Sequence, residues 1–325
     1  MRHIPLSAIE DAARTIYNPV VRTPLVRLDP PADIAARLGG STIFLKLETL
    51  QPIGSFKIRG AQNVVRQLAP SDLRGGIWTV SAGNAAQGVA LAARVAGVPC
   101  SVMVSDAAPA TKLRAIERLG ATIVPASYDE CWRTVEAHGS DRMRGYFIHP
   151  FDDDRFIAGN GTAGLEIVDD LPDVDAVIAP LGGGGLLAGV AAAVRARRPG
   201  IKVFAAEPET AAPLDASLRN GRPSHFDAWQ ASFVDGAGGK SVLPTMWPLL
   251  SQLDGTIVVP LAEVAAAMKL VADHCHVIAE GAAGCAVAAA LTGRVRGRIV
   301  AIVSGGNIDL PRFASLVGAC SGSTA

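Results

Sequence analysis

The sequence has no surplus of charge of either sign: 30 Lys and Arg balance 30 Asp and Glu over 325 residues. That balance excludes nucleic acid and an acidic membrane surface as main partners, and it leaves no electrostatic barrier to self-association. Cysteine is sparse. Cys100, Cys131, Cys275, Cys285 and Cys320 are odd in number and contain no C-x-x-C spacing. A disulfide framework and a structural zinc site are therefore not expected, and a reducing cytoplasm is the expected location. "DHCH" (273–276) gathers metal-ligand residue types, but adjacent helical residues point in different directions and chelate one ion poorly. The first residues lack the apolar core and small-residue cleavage site of a signal peptide. Low-complexity linkers, tandem repeats and long charge runs are absent as well. The uncharged stretch 176–194 has the length of a membrane span, but Pro180 and four consecutive glycines interrupt it. It is expected to be a buried strand, a turn and a buried helix.

What is present is apolar. Hydrophobic residues make up 49% and charged residues 18%, enough for a sizeable core in one large domain or two smaller ones. Short apolar runs alternate with Ala/Leu-rich amphipathic runs: "GGIWTV" before "NAAQGVALAARVAGV", "CSVMVSD" before "APATKLRAIERLGA", "VDAVIAPL" before "GLLAGVAAAVRARRPG". This alternation predicts an α/β protein with open parallel sheets covered by helices, and ligands at the C-terminal ends of the strands. Four such units between about Gly75 and Pro150 form one block. The expected division is a small α/β domain at 75–149 and a large cofactor-binding domain from 1–74 and 150–325, with a cleft between them.

"PLGGGGLLAG" (180–189) joins an apolar strand to an apolar helix. Backbone N–H groups in such a glycine turn converge on a phosphate, and the helix N-terminus adds a partial positive charge. Two cofactors suit it. Gly183, Gly185 and Ala188 match G-x-G-x-x-A, and Glu207 ends the next apolar run where a ribose-binding acid would sit; this points to an NAD-dependent oxidoreductase. That alternative leaves "GSFKIRGA" (54–61), with Lys57 between Phe56 and Arg59, unexplained.

Four pieces together, Lys57, the glycine loop, "VSAGNAAQGVA" (80–90) and "VAIVSGGNID" (300–309), resemble the fold-type-II pyridoxal-phosphate enzymes, the tryptophan synthase β-like group, and within it the threonine/serine dehydratase branch. "HPFDD" (149–153), "AGNGTAGLEI" (158–167), "VDG" (234–236) and "AEGAAG" (279–284) follow the order of that family and extend the resemblance over nearly the whole chain. The resemblance implies pyridoxal 5'-phosphate bound covalently to Lys57, whose released amine becomes the base for the Cα proton. It implies Phe56 against one face of the ring, the N–H groups of Gly182, Gly183, Gly184 and Gly185 on the phosphate, Asn84 on the ring oxygen and Ser304 at the ring nitrogen. The turn Ser81, Ala82, Gly83, Asn84, Ala85 would take the substrate carboxylate. A serine at the ring nitrogen gives a weaker electron sink than a carboxylate, which suits β-elimination. The implied reaction converts an L-β-hydroxy amino acid into a 2-oxo acid and ammonia, by a homodimer or homotetramer.

The sequence departs from the family at three places. Ala85 replaces a frequent histidine, which suggests a substrate larger than threonine. Hydroxyectoine-derived amino acids, phenylserine and hydroxyaspartate are candidates known from the family. Ala82 stands where related racemases carry a serine; alanine cannot transfer a proton, so little racemase activity is expected. Relatives bind a divalent cation through an acid at the position of Glu207, with a second acid where this chain has Pro213 and Asp215 nearby. This leaves a Mg²⁺ or Mn²⁺ site open.

Overall fold

The computed structural model describes residues 2–319. Ten strands form two sheets. β1 (Leu25–Leu28), β2 (Thr42–Leu47), β7 (Ala176–Pro180), β8 (Lys202–Pro208), β9 (Gly255–Val259) and β10 (Arg298–Val303) make a six-stranded sheet in the order β1-β2-β10-β7-β8-β9. β3 (Ile77–Val80), β4 (Cys100–Ser105), β5 (Thr122–Ala126) and β6 (Tyr146–Phe147) make a four-stranded sheet in the order β5-β4-β3-β6. All pairings are parallel except the edge pair β1–β2. β3 and β7 are buried along their whole length, as expected of strands covered by helices on both faces. Residues 176–194 form β7, the glycine turn and the start of helix Gly185–Arg197. No helix among the described residues is long and apolar enough to cross a membrane. Cys100, Cys131, Cys275 and Cys285 are free thiols; Cys320 lies outside the described residues.

Helix Lys57–Gln67 lies against helices Asn84–Ala96 and Asp154–Asp170. The second contact is backbone to backbone: a Cβ on Gly159 would stand 2.4 Å from the Arg59 carbonyl oxygen. Glycine is required there by close approach.

Below this helix lies a buried ion cluster. The Arg59 guanidinium donates to both oxygens of Glu48 (2.8 Å each) and both oxygens of Glu166 (2.6 and 2.8 Å). Lys46 Nζ lies 2.6 Å from Glu166 Oε2 and donates to the Thr23 carbonyl at 2.7 Å. Two cations meet two carboxylates, and all four side chains are 0–1% exposed. The carboxylates hold Arg59 further into its charged form, against the desolvation that opposes it. The cluster joins β2, the turn after it, the Lys57 helix and helix Asp154–Asp170 at one point.

Candidate active site

Three neighbouring strands of the larger sheet deliver the site. β2 and β10 run parallel with Leu47 opposite Val303, and β10 pairs on its other side with β7. Their C-terminal ends therefore emerge at one edge, where a parallel sheet presents its ligand sites. The turn after β2 leads to Lys57, β10 leads directly into Ser304, and β7 leads into the glycine loop. Two contacts join the first two segments: Phe56 N–H donates to the Ser304 carbonyl at 3.1 Å, and Ser55 bridges Gly305. Across the cleft, β3 ends at Val80 and opens the Ser81–Ala85 turn.

These segments enclose one cavity of about 410 Å³. Phe56, Lys57, Ser81, Ala82, Gly83, Asn84 and Ala85 line it, together with Gly182, Gly183, Gly184, Gly185 and Ser304. Every residue expected to hold cofactor or substrate thus faces a common space. The Lys57 amine donates to the Pro150 carbonyl at 2.6 Å and lies 5.3 Å from the Phe56 ring centre. Desolvation lowers its pKa to about 8, and Glu280 partly offsets this. A neutral amine is a nucleophile, so the shift favours reaction with an aldehyde.

The glycine loop carries the fit to a phosphate. Among the described residues, the N–H groups of Gly182, Gly183, Gly184 and Gly185 have no hydrogen-bond partner. Unpaired amides converging in a cavity wall at the start of helix Gly185–Arg197 are the donors an anion satisfies. Side chains cannot be accommodated. A Cβ on Gly183 would stand 2.2 Å from the Phe151 ring, and Gly184 has φ +90°. On the opposite wall the amides of Ala82, Asn84 and Ala85 are likewise unpaired among the described residues, whereas Gly83 N–H donates to Ser81 Oγ at 3.1 Å. The residues present fit pyridoxal phosphate: an amine for its aldehyde, four amides for its phosphate and a hydroxyl at the Ser304 position.

The cavity also contains residues to which the sequence motifs gave no role. Glu280, the helix-start acid of "AEGAAG", accepts from Asn84 Nδ2 at 2.7 Å. Asn84 Oδ1 in turn accepts from Asn307 Nδ2 at 2.7 Å, so the Asn84 amide is held at both ends. Desolvation, with the nearby Asp235 charge adding to it, raises the Glu280 pKa to about 7. Asp235 pairs with Lys112, which comes from the small-sheet side of the cleft. The sequence signal for these residues was the place of "VDG" and "AEGAAG" in the order of the resembled family; their partners come from distant segments.

Glu207 does not face the cavity. Its two oxygens accept the N–H groups of Leu214 (2.8 Å) and Asp215 (2.9 Å) at the start of helix Pro213–Asn220. The Asp215 carboxylate turns instead to Thr256 Oγ1 (3.0 Å) and Arg219 (2.8 Å). Pro213 offers no side-chain ligand and the Asp215 carboxylate is engaged elsewhere, so the pair of acids a divalent cation would take is not assembled at Glu207 and these residues do not fit such a site. The placement of Glu207 away from the cavity also leaves an NAD site at 182–207 without its ribose acid.

A lysine and an orphaned amide cradle delivered by one parallel sheet, at a cleft closed by a second sheet, define a fold-type-II pyridoxal-phosphate enzyme. The chain belongs to the family described as pyridoxal-phosphate dependent enzymes, whose sequence model matches residues 16–305. It is 39% identical over 312 residues to the L-threonine ammonia-lyase of Thermotoga maritima, covering 94% of this chain and 76% of that protein. Its fold is similar to that of maize serine racemase, with TM-score 0.87, 32% identity and 97% of each chain covered. It is also similar to processed threonine deaminase isoform 2 of Solanum lycopersicum, with TM-score 0.84, 30% identity, and 99% of this chain and 96% of that one covered.

Proposed function

We propose that this protein is a dehydratase/ammonia-lyase that converts an L-β-hydroxy amino acid into a 2-oxo acid and ammonia. The observation that carries this reading is the convergence, in one cavity, of the Lys57 amine, the unpaired glycine-loop amides and the unpaired amides of the 81–85 turn. The similarity to an L-threonine ammonia-lyase supports the reaction type.

Each group has a task. The glycine loop would anchor the phosphate, and Phe56 would lie against the ring. The Ser304 hydroxyl would donate to the ring nitrogen without protonating it. Once bound, the cofactor supplies a sink for the electron pair left at Cα. The amides of Ala82, Asn84 and Ala85, at a helix N-terminus, would orient the substrate carboxylate. The Lys57 amine, whose neutral form burial favours, takes the Cα proton. The Cβ–O bond then breaks, the hydroxyl leaves as water by taking up the proton that Lys57 removed from Cα, and the released enamine tautomerises and hydrolyses to the 2-oxo acid and ammonia.

Ala85 leaves this wall without the imidazole frequent in the family, and we assign the added space to a side chain larger than that of threonine. Ala82 presents only a methyl group where racemases carry a hydroxyl, so elimination is favoured over racemisation even though a serine racemase shares the fold. We assign 75–149 to a small domain and 1–74 with 150–325 to a large one; all of β3–β6 fall in the first range and the other six strands in the second. A cytoplasmic homodimer or homotetramer belongs to the same reading and is checked by sedimentation and fractionation.

Borohydride reduction followed by peptide mass spectrometry tests the linkage: a pyridoxyl adduct on Lys57 is expected, and an adduct on another lysine overturns the site. A panel of L-threonine, L-serine, phenylserine and hydroxyaspartate, read by 2-oxo acid release, tests the reaction. Preference for threonine overturns the enlarged pocket, and D-isomer formation with solvent deuterium overturns the preference for elimination.

A further inference from the structure

"HPFDD" has a position but no task in the mechanism above. His149 is 3% exposed and lies in the segment between β6 and helix Asp154–Asp170. Its Nδ1 accepts two backbone N–H groups, from Asp152 at 2.7 Å and Phe151 at 3.2 Å. Its Nε2 lies 3.2 Å from the Val135 carbonyl. A carbonyl only accepts, so Nε2 carries the proton and Nδ1 the lone pair; the ring must be neutral to make all three contacts. Burial agrees with this, lowering the pKa of His149 to about 4. The ring of His138 stacks on it at 4.4 Å, and the ring of Phe151 meets it edge-on at 4.6 Å.

The turn held in this way touches the cofactor site at two points. The Pro150 carbonyl receives the Lys57 amine at 2.6 Å. Phe151 backs the glycine loop: its ring occupies the space of a Cβ on Gly183, and its carbonyl oxygen lies 2.7 Å from that of a Cβ on Gly185. The third contact reaches Val135 in helix Tyr128–Glu136, on the small-sheet side, and Val135 lines the same cavity.

We propose that His149 is a positioning residue whose neutral imidazole locks the 149–152 turn, setting the Lys57 amine and the glycine loop in register with each other. Removing the lone pair at Nδ1 frees the amides of Phe151 and Asp152 and lets the turn shift. Both ends of the cofactor site then lose their common support. The proposal rests on Lys57 as the cofactor-binding amine.

Three variants test it. In His149→Asn an oxygen stands near the place of Nδ1; in His149→Gln the amide stands near the place of Nε2; His149→Leu keeps volume only. Pyridoxal phosphate is titrated into cofactor-free protein, followed by absorbance, and acetylation of Lys57 in the cofactor-free state is followed by peptide mass spectrometry. Cofactor affinity in the Asn variant is expected within about threefold of the parent. The Gln and Leu variants are expected to bind about 10- to 100-fold more weakly, the range seen when support behind a ligand-holding group is removed. They are also expected to show a shifted absorbance maximum and faster Lys57 acetylation. If the Leu variant fails to fold, the Asn–Gln pair decides. Equal affinity, spectrum and Lys57 reactivity in Asn and Gln, with borohydride trapping still on Lys57, overturns the role of His149 alone. Trapping on another lysine in the parent overturns the site and this proposal with it.

Discussion

Two cations stand two positions apart on one helix, and their surroundings separate them. Arg59 is wholly enclosed and meets two carboxylates through four hydrogen bonds, within a cluster whose charges cancel. Lys57 meets a carbonyl and two aromatic rings, and the carboxyl that acts on it, Glu280, is itself pushed towards its neutral form. Burial opposes charge at both positions. Compensation by anions overrides it at Arg59, whereas at Lys57 desolvation prevails and the amine titrates at about 8. The same helix thus holds a fixed charge for anchorage and a removable one for chemistry.

This contrast can be broken by substitution. Lys57→Ala is expected to lower turnover by about 10⁴-fold, the upper range for loss of a positioned base, without lowering the melting temperature of the cofactor-free protein. A large fall in that melting temperature would make Lys57 structural like its neighbour. Arg59→Leu leaves Glu48 without its cation and Glu166 with Lys46 as its paired cation. Denaturant unfolding is expected to show a loss of about 3–5 kcal/mol, and unchanged stability would show that the cluster does not anchor the helix. Gly183→Ala drives a methyl group into the Phe151 ring, at an expected cost of about 1–3 kcal/mol. Cofactor binding weakened by about tenfold should accompany it in an absorbance titration.

The smallest effect concerns pH. The Glu280 pKa is raised from 4.5 to about 7, so its contribution to stability is complete below 4.5 and is lost as pH rises through about 7. Glu207, also raised to about 7, acts in the same direction. The melting temperature of cofactor-free protein is expected to fall across that window. Glu280→Gln should flatten part of the fall and move the Lys57 titration further below about 8, because an anion that favoured the charged amine has gone. A profile unchanged by the substitution would remove Glu280 from the balance.

Local pattern exposed part of this arrangement. The glycine loop, the 81–85 turn and Ser304 each follow an apolar strand directly, so strand-to-turn reading locates them, whereas Lys57 lies well beyond the end of β2 and is located by the family resemblance of its motif. β1 and β2 escaped that reading because β1 is an antiparallel edge strand and β2 carries Lys46 within a buried run. The pairings of Arg59 with Glu166, Asn84 with Glu280 and Lys112 with Asp235 span more than a hundred residues each and have no periodic signal. Glu207 shows the opposite failure: its place at a strand end suggested a ligand-binding acid, and only the course of the following helix shows both oxygens already engaged.

The sheet order has a consequence for synthesis on the ribosome. β10 inserts between β2 and β7, so residues 42–47 and 176–180 gain their shared neighbour only when residues 298–303 emerge. The four-stranded sheet is complete by residue 147, long before its companion. Between the emergence of residue 180 and that of residue 298, β2 and β7 lack the strand that separates them, a window in which chaperones or off-register pairing can compete for the nascent polypeptide.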